Sequence, residues 1–300
     1  MSRRALGVLF CLISAVAYGT AGIFGKLAYE EGLSPSVLLA TRFSIAAVVM
    51  WALVVAIGAP IRPSRRGIAL GLLVCVATYA AQTAAYFWSL RRIDAALTIL
   101  LAHTAPVFVA IGAVAFGRER LSRMTLVSLP IAVGGTALIA IGALGGPVRA
   151  DGVGIVLALL CAVSYAVYLL VSHAVVGDTH PITLTAWVTS GVALTFAAGS
   201  VVTGESPHTT GRGWLIILGL AIVTTVIAIT FLSAGTAVVG PSAAALLTTL
   251  EPVTATALAL VVLDERLRPV QWAGGVLVVL SVVILAGPWA DRPAAPPEAP

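Results

Sequence analysis

Glu251 is the residue of this chain best placed to do chemistry. It stands eight residues past Ala243, near the middle of an apolar stretch long enough to cross a bilayer. A carboxylate at that depth is costly and faces a cavity or a partner, not lipid. Such a group suits reversible protonation. Pro252, next in the chain, has no N–H and so frees a backbone carbonyl one turn earlier. Two roles stay open for Glu251: a proton-coupling or substrate-contacting group, and a structural anchor, with Arg42 as a candidate partner.

Arg42 lies a few residues into its own apolar stretch. There it can snorkel to the headgroups or form a structural pair. Holding a substrate carboxylate is the alternative. Tyr79, Gln82 and Tyr86 are spaced i, i+3 and i+7, so they share one face of a helix, with Thr78 beside them. Gln82 facing lipid would leave its amide unsatisfied, so this face points inward. Tyr165, Tyr168 and Ser172 repeat the spacing, and Tyr18 answers Tyr165 by repeat. Two aromatic-polar stripes suit an amphipathic organic solute; packing with each hydroxyl satisfied by backbone is the plainer reading. His103, one turn before Pro106, is either a hydrogen-bonded packing residue or a proton relay. Lys26 and His173 correspond by repeat and sit near stretch ends, where headgroup contact explains them.

The elements that carry these residues must be membrane helices. Of 300 residues, 60% are hydrophobic and only 10% charged, with mean hydropathy +1.07. A soluble domain carries roughly 25% charged residues. Ten stretches approach the ~20 apolar residues a span requires: Leu6–Ala28, Val37–Ile57, Gly67–Leu90, Ala95–Phe116, Thr125–Leu144, Gly154–Val176, Ile182–Val202, Trp214–Val238, Ala243–Leu263 and Val270–Ala286. The first resembles a signal peptide with its Arg3-Arg4 start, but it runs too long and more spans follow, so it is expected to stay as a helix. Cys11, Cys75 and Cys161 fall inside apolar runs at spacings that fit no disulfide or metal pattern, and packing is their expected role. Gly67 with Gly71, Gly134-Gly135 and Gly274-Gly275 are candidate close-packing points.

The second half of the chain repeats the first. Pro106 and Pro252 stand 146 positions apart, as do Glu119 and Glu265, while Tyr18 and Tyr165 stand 147 apart. The expected division is residues 1–146, 147–288 and a Pro/Ala-rich disordered tail, 289–300. Five spans in each repeat force the two units into opposite orientations. Arg3, Arg4, Arg62, Arg65, Arg66, Arg118, Arg120 and Arg123 fall on one side of the membrane, against Lys26, Arg91, Arg92 and Arg149 on the other. Positive charge favours the cytoplasm, which places both termini there. The expectation is an all-α integral membrane protein with ten transmembrane helices in two inverted five-helix repeats. Such an arrangement builds one central site reached from either side in turn.

The segment TLEPVTATALALVVLDERLRPVQWAGGVLVVLSVVILAG, Thr249 to Gly287, resembles the end of the EamA repeat of the drug/metabolite transporter superfamily. The likeness lies in Glu251-Pro252, in Glu265-Arg266-Leu267 and in the Gly-rich last helix. The first repeat answers with Ala105-Pro106 and Glu119-Arg120-Leu121, and Arg42-Phe43 sits where the family often has Arg-Phe. One departure is Ala105 where the second repeat has Glu251. The resemblance, over about Ala5 to Gly287, implies ten helices, a cavity of alternating access, and export of amino acids, other metabolites or toxic compounds. A cell (cytoplasmic) membrane protein follows, with a small-molecule substrate and the lipid bilayer as partners, no cofactor, no nucleic acid, and a monomeric or homodimeric state. A passive channel is the nearest alternative, but no selectivity ring or filter is evident. A membrane acyltransferase is more remote: His173 and Asp178 match a short acid–histidine pattern, with no phosphate-binding motif, Gly-x-Ser-x-Gly elbow or His-Glu-x-x-His site beside it.

Overall fold

In a bilayer, peptide groups have no water to bond, so an apolar stretch closes its hydrogen bonds within itself as a helix. The computed structural model describes residues 2–61, 68–116, 121–144, 151–176, 179–203, 209–262 and 267–286, and no strand occurs among them. The first half holds α1 (Arg3–Gly19), α2 (Ala21–Glu30), α3 (Pro35–Ala56), α4 (Ile68–Leu90), α5 (Ala95–Ala102), α6 (Ala105–Ala115) and α7 (Arg123–Ala143). The second holds α8 (Gly152–Val176), α9 (Pro181–Thr203), α10 (Gly211–Ala221), a π-helical stretch (Ile222–Ile227), α11 (Ala228–Val239), α12 (Pro241–Leu247), α13 (Leu250–Val262) and α14 (Pro269–Ala286). The helices start where hydroxyl side chains cap them. Ser34, Ser122 and Thr210 accept from Val37 N, Thr125 N and Gly213 N at 3.3, 3.0 and 3.1 Å. Gly240, at φ 85°, turns the chain from α11 into α12 without a loop.

Among the described residues, nine helical segments are long and apolar enough to cross a membrane. The expected span Ala243–Leu263 is not one of them; it is broken into α12 and α13 at Thr248-Thr249, and Leu263 lies outside the described residues. Two causes act together. Pro252 has no N–H for the carbonyl of Thr248, which the N–H of Glu251 takes instead at 3.0 Å. The carbonyl that Pro252 was expected to free is therefore occupied. The hydroxyls of Thr248 and Thr249 also fold back onto Ala245 O and Leu246 O, at 2.9 and 2.6 Å. Breaks at Thr104, between α5 and α6, and at Thr20, between α1 and α2, use the same device: their hydroxyls donate to Leu101 O and Ala17 O at 2.6 and 2.7 Å.

The most extensive helix pairings all join one half of the chain to the other: α7 with α14, α4 with α8, α3 with α9 and α1 with α11. Exchanging the repeats carries α3–α9 and α7–α14 onto themselves and α4–α8 onto α1–α11. At the α7–α14 crossing Gly135 and Gly274 face each other; a Cβ on Gly274 would lie 2.5 Å from Gly135 O, whereas Gly134 and Gly275 have nothing within 4 Å. Only one glycine of each expected pair therefore packs. Gly71 packs against Val175, and Gly67 lies outside the described residues. The three cysteines are buried and free, with Cys11 seated on Gly235.

At one end of the bundle Arg92 Nη1 donates to Asp151 Oδ2 at 3.0 Å, tying the α4–α5 turn to the start of α8. Hydrogen bonding to Arg92, and then to backbone N–H groups, holds the Asp151 carboxyl below its usual range. A lowered folded-state value stabilises the fold above the ordinary carboxylate range, and that stability is lost as pH falls through the folded value. The pair is solvent-exposed, so the effect is modest. The melting midpoint of the wild type should exceed that of Asp151→Asn at neutral pH, with the gap closing below about pH 4. A gap that persists in acid would overturn the assignment.

Candidate functional site

α1 and α2, α3, α4, α8, and the broken helices α5–α6 and α12–α13 line a cavity of about 120 Å³. Its wall holds Tyr18 from α1, Arg42 from α3, Tyr79, Gln82 and Tyr86 from α4, His103 at the α5–α6 break, Tyr165 from α8, and Glu251 from α13. The i, i+3, i+7 stripe on α4 thus faces the cavity as one surface. The stripe on α8 divides. Tyr165 lines the cavity, but Tyr168, 1% exposed, is absent from its wall and packs edge-on against the Tyr79 ring at 5.0 Å. Ser172 turns back to Leu169 O within its own helix at 3.1 Å. Three residues fall about 60° short of a full turn, which is enough to carry Tyr168 off the cavity wall and into the α4–α8 seam.

Hydroxyl contacts bind the wall together. Tyr18 and Tyr79 share a hydrogen bond of 3.1 Å, and Tyr165 meets Thr248 Oγ1 at 3.4 Å. His103 Nδ1 lies 2.9 Å from Ile99 O. A carbonyl can only accept, so that nitrogen carries the hydrogen, and Nε2 is the nitrogen left to gain or lose a proton. Nε2 faces Glu251 Oε2 at 3.7 Å, within ion-pair range and beyond a hydrogen bond. Glu251 therefore neighbours His103, and no ion pair with Arg42 occurs among the described residues.

Arg42 does not snorkel. It is 3% exposed, its Nε has no hydrogen-bond partner, and its guanidinium lies 4.6 and 5.7 Å from the ring centroids of Phe43 and Phe87. Eight residues of α3 carry it about 10 Å in from the helix start, where neighbouring helices cover it. His173 also departs from expectation: Nδ1 contacts Thr236 O of α11 at 3.1 Å, so it joins two helices. Its acid–histidine partner Asp178 lies outside the described residues, as do Glu119, Arg120, Glu265, Arg266 and the tail. Lys26 is exposed midway along α2.

Sequence reasoning missed Thr248, Thr83, Phe87 and Cys161 on the wall. Thr248 was legible as the residue opposite Pro252 in a helical turn. Cys161, read as packing alone, is buried and also lines the cavity.

The sequence profile of the EamA-like transporter family matches residues 5–141 and again 152–287. No curated protein matches the chain. Among solved structures, one titled only "Crystal structure of protein" superimposes with a TM-score of 0.80 at 18% identity, over 93% of this chain and 95% of that one. At that identity the likeness speaks for the fold.

Proposed function

The chain belongs to the EamA-like transporter family and is a multi-pass membrane protein, and from that premise we propose that it is a secondary transporter exporting small amino-acid-like or other amphipathic metabolites. The family is one of transporters of small solutes, not of enzymes. The observation that carries the proposal is the cavity itself: tyrosines, an amide, a histidine and a carboxylate from both halves of the chain converge on one space. A solute there would be held by ring contacts and a few hydrogen bonds.

In this reading residues 1–146 and 147–288 form two inverted five-helix units, with α12 and α13 together making the tenth span. The exchange symmetry of the helix pairings supports that arrangement. The halves rock about the cavity and expose it to each side in turn. The breaks beside His103 and Glu251 supply the bending points, since a hinge forms where the helical bond ladder is already interrupted. Both termini lie in the cytoplasm and the membrane is that of the cell. One copy suffices, because a single chain supplies the whole cavity wall. Glu251 couples transport to protons, with His103 as its neighbour.

The test is metabolite profiling inside and outside cells that overexpress the chain, against a vector control. A small set of solutes depleted inside and enriched outside is the expected result. No change, with the protein shown to be folded in the membrane, would overturn export.

A further inference from the structure

Arg42 carries a charge that the described fold does not answer. Its guanidinium has five N–H donors, and Nε, fully shielded, bonds to nothing. None of the ion pairs among the described residues includes it. The rings of Phe43 and Phe87 attract the cation, but a ring face does not take the in-plane hydrogens of a guanidinium. A buried charge left this way is strongly unfavourable unless something else supplies the acceptor. The side chain lines the cavity, so an acceptor for the terminal guanidinium nitrogens can come from what the cavity holds.

The neighbours define what that acceptor is. Tyr18 and Tyr79 share the cavity wall with Arg42 and bond to each other at 3.1 Å. Two hydroxyls joined by one hydrogen bond use one hydrogen between them and leave the other to donate outward. A planar guanidinium fork beside one O–H donor matches a carboxylate, which accepts two parallel N–H bonds and has lone pairs to spare. A phosphate monoester fits less well. It brings close to two negative charges, against one cation, into a cavity that also holds Glu251.

Resting on the transport reading for the identity of the occupant, we propose that Arg42 is the anion-recognition residue of this cavity and that its solute carries a single carboxylate, taken by the guanidinium and a tyrosine hydroxyl. The carboxylate is held on the α3 side, above Phe43 and Phe87, and the rest of the solute extends along the aromatic wall toward His103 and Glu251. Arg42 is then what admits an acid and rejects the amide or ester of the same shape.

The experiment uses the purified full chain in detergent. A panel of small monocarboxylates (apolar amino acids, hydroxy acids and benzoate) is titrated, each against its own amide, with the melting midpoint as readout. At least one acid should bind roughly 10- to 100-fold more tightly than its amide, the range for hydrogen bonds to a charged group. Arg42→Gln should bring that ratio close to one, and Arg42→Lys should restore only part of it, since an ammonium lacks the planar fork. A panel in which no acid outbinds its amide would overturn the proposal, and so would Arg42→Gln protein that keeps the preference. The acid–amide comparison on wild-type protein stands even if the variants fail to fold. Export of solutes that lack a carboxylate would sink this assignment and leave transport standing; acid-selective binding without export would do the reverse.

Discussion

Glu251→Gln protein should fold and reach the membrane, lose the pH dependence of transport, and run slower by roughly tenfold, a rise of about 1.4 kcal/mol in the barrier. Glutamine keeps the shape and hydrogen-bonding reach of glutamate but has no charge to cycle. Glu251 sits at the first turn of α13, held there by the bond from its own N–H to Thr248 O at 3.0 Å. Its side chain is 27% exposed and that of His103 11%, so both reach the cavity while remaining largely enclosed. At 3.7 Å a change of charge on either group is felt by the other. Charged or titratable groups on the same wall are Arg42, Tyr18, Tyr79, Tyr86, Tyr165 and Cys161. Flux from proteoliposomes, measured across pH for wild type and variant, decides the matter. An unchanged pH profile in a folded Glu251→Gln protein would remove the coupling role.

The second large effect concerns stability. Gly274→Ala should destabilise the protein by about 1–3 kcal/mol, the usual cost of forcing atoms into a filled contact. A Cβ there would stand 2.5 Å from Gly135 O and 2.8 Å from Ile139 N, both main-chain atoms that no rotamer change can move aside. The reverse contact is as tight: a Cβ on Gly135 would meet Gly274 O at 2.8 Å and Val278 N at 2.9 Å. The axes of α7 and α14 would have to part, and close approach is what holds helices together where lipid offers no hydrophobic drive. Gly275→Ala and Gly134→Ala are the controls. Each Cβ enters open space, so the gain in helix propensity leaves stability unchanged or slightly raised. Melting midpoints in one detergent compare the four. Gly274→Ala protein as stable as Gly275→Ala would overturn the packing argument.

Much of the architecture was legible before the structure. Runs such as Pro35–Ala56 and Pro269–Ala286 announce themselves by hydropathy alone. The α4 stripe was legible because a helical period puts Tyr79, Gln82 and Tyr86 on one face. The failures share a cause: they depend on contacts across the bundle. Nothing local in Gly134-Gly135 says which glycine meets the other helix. Arg42 reads as a headgroup residue until the packing on both sides of α3 is known, and His103 and Glu251 become neighbours only when two broken helices meet. The break at Thr248-Thr249 was half legible. Pro252 signalled an interrupted bond one turn earlier, but hydroxyls folding back there, as at Thr20 and Thr104, make it a break.

Because every major helix of the first half finds its principal partner in the second, the ribosome must deliver the two parts of each pair far apart in time. At about 5–20 residues per second, offsets that run from 84 residues (α4 to α8) to 225 (α1 to α11) are some 4–45 s. During that interval α1, α3, α4 and α7 are in the membrane without α11, α9, α8 and α14. Arg42 and Gln82 then have no protein interior to enter. The biogenesis of this chain therefore calls for a sheltered waiting state, at the translocon or beside an insertase, that lasts until its later helices arrive.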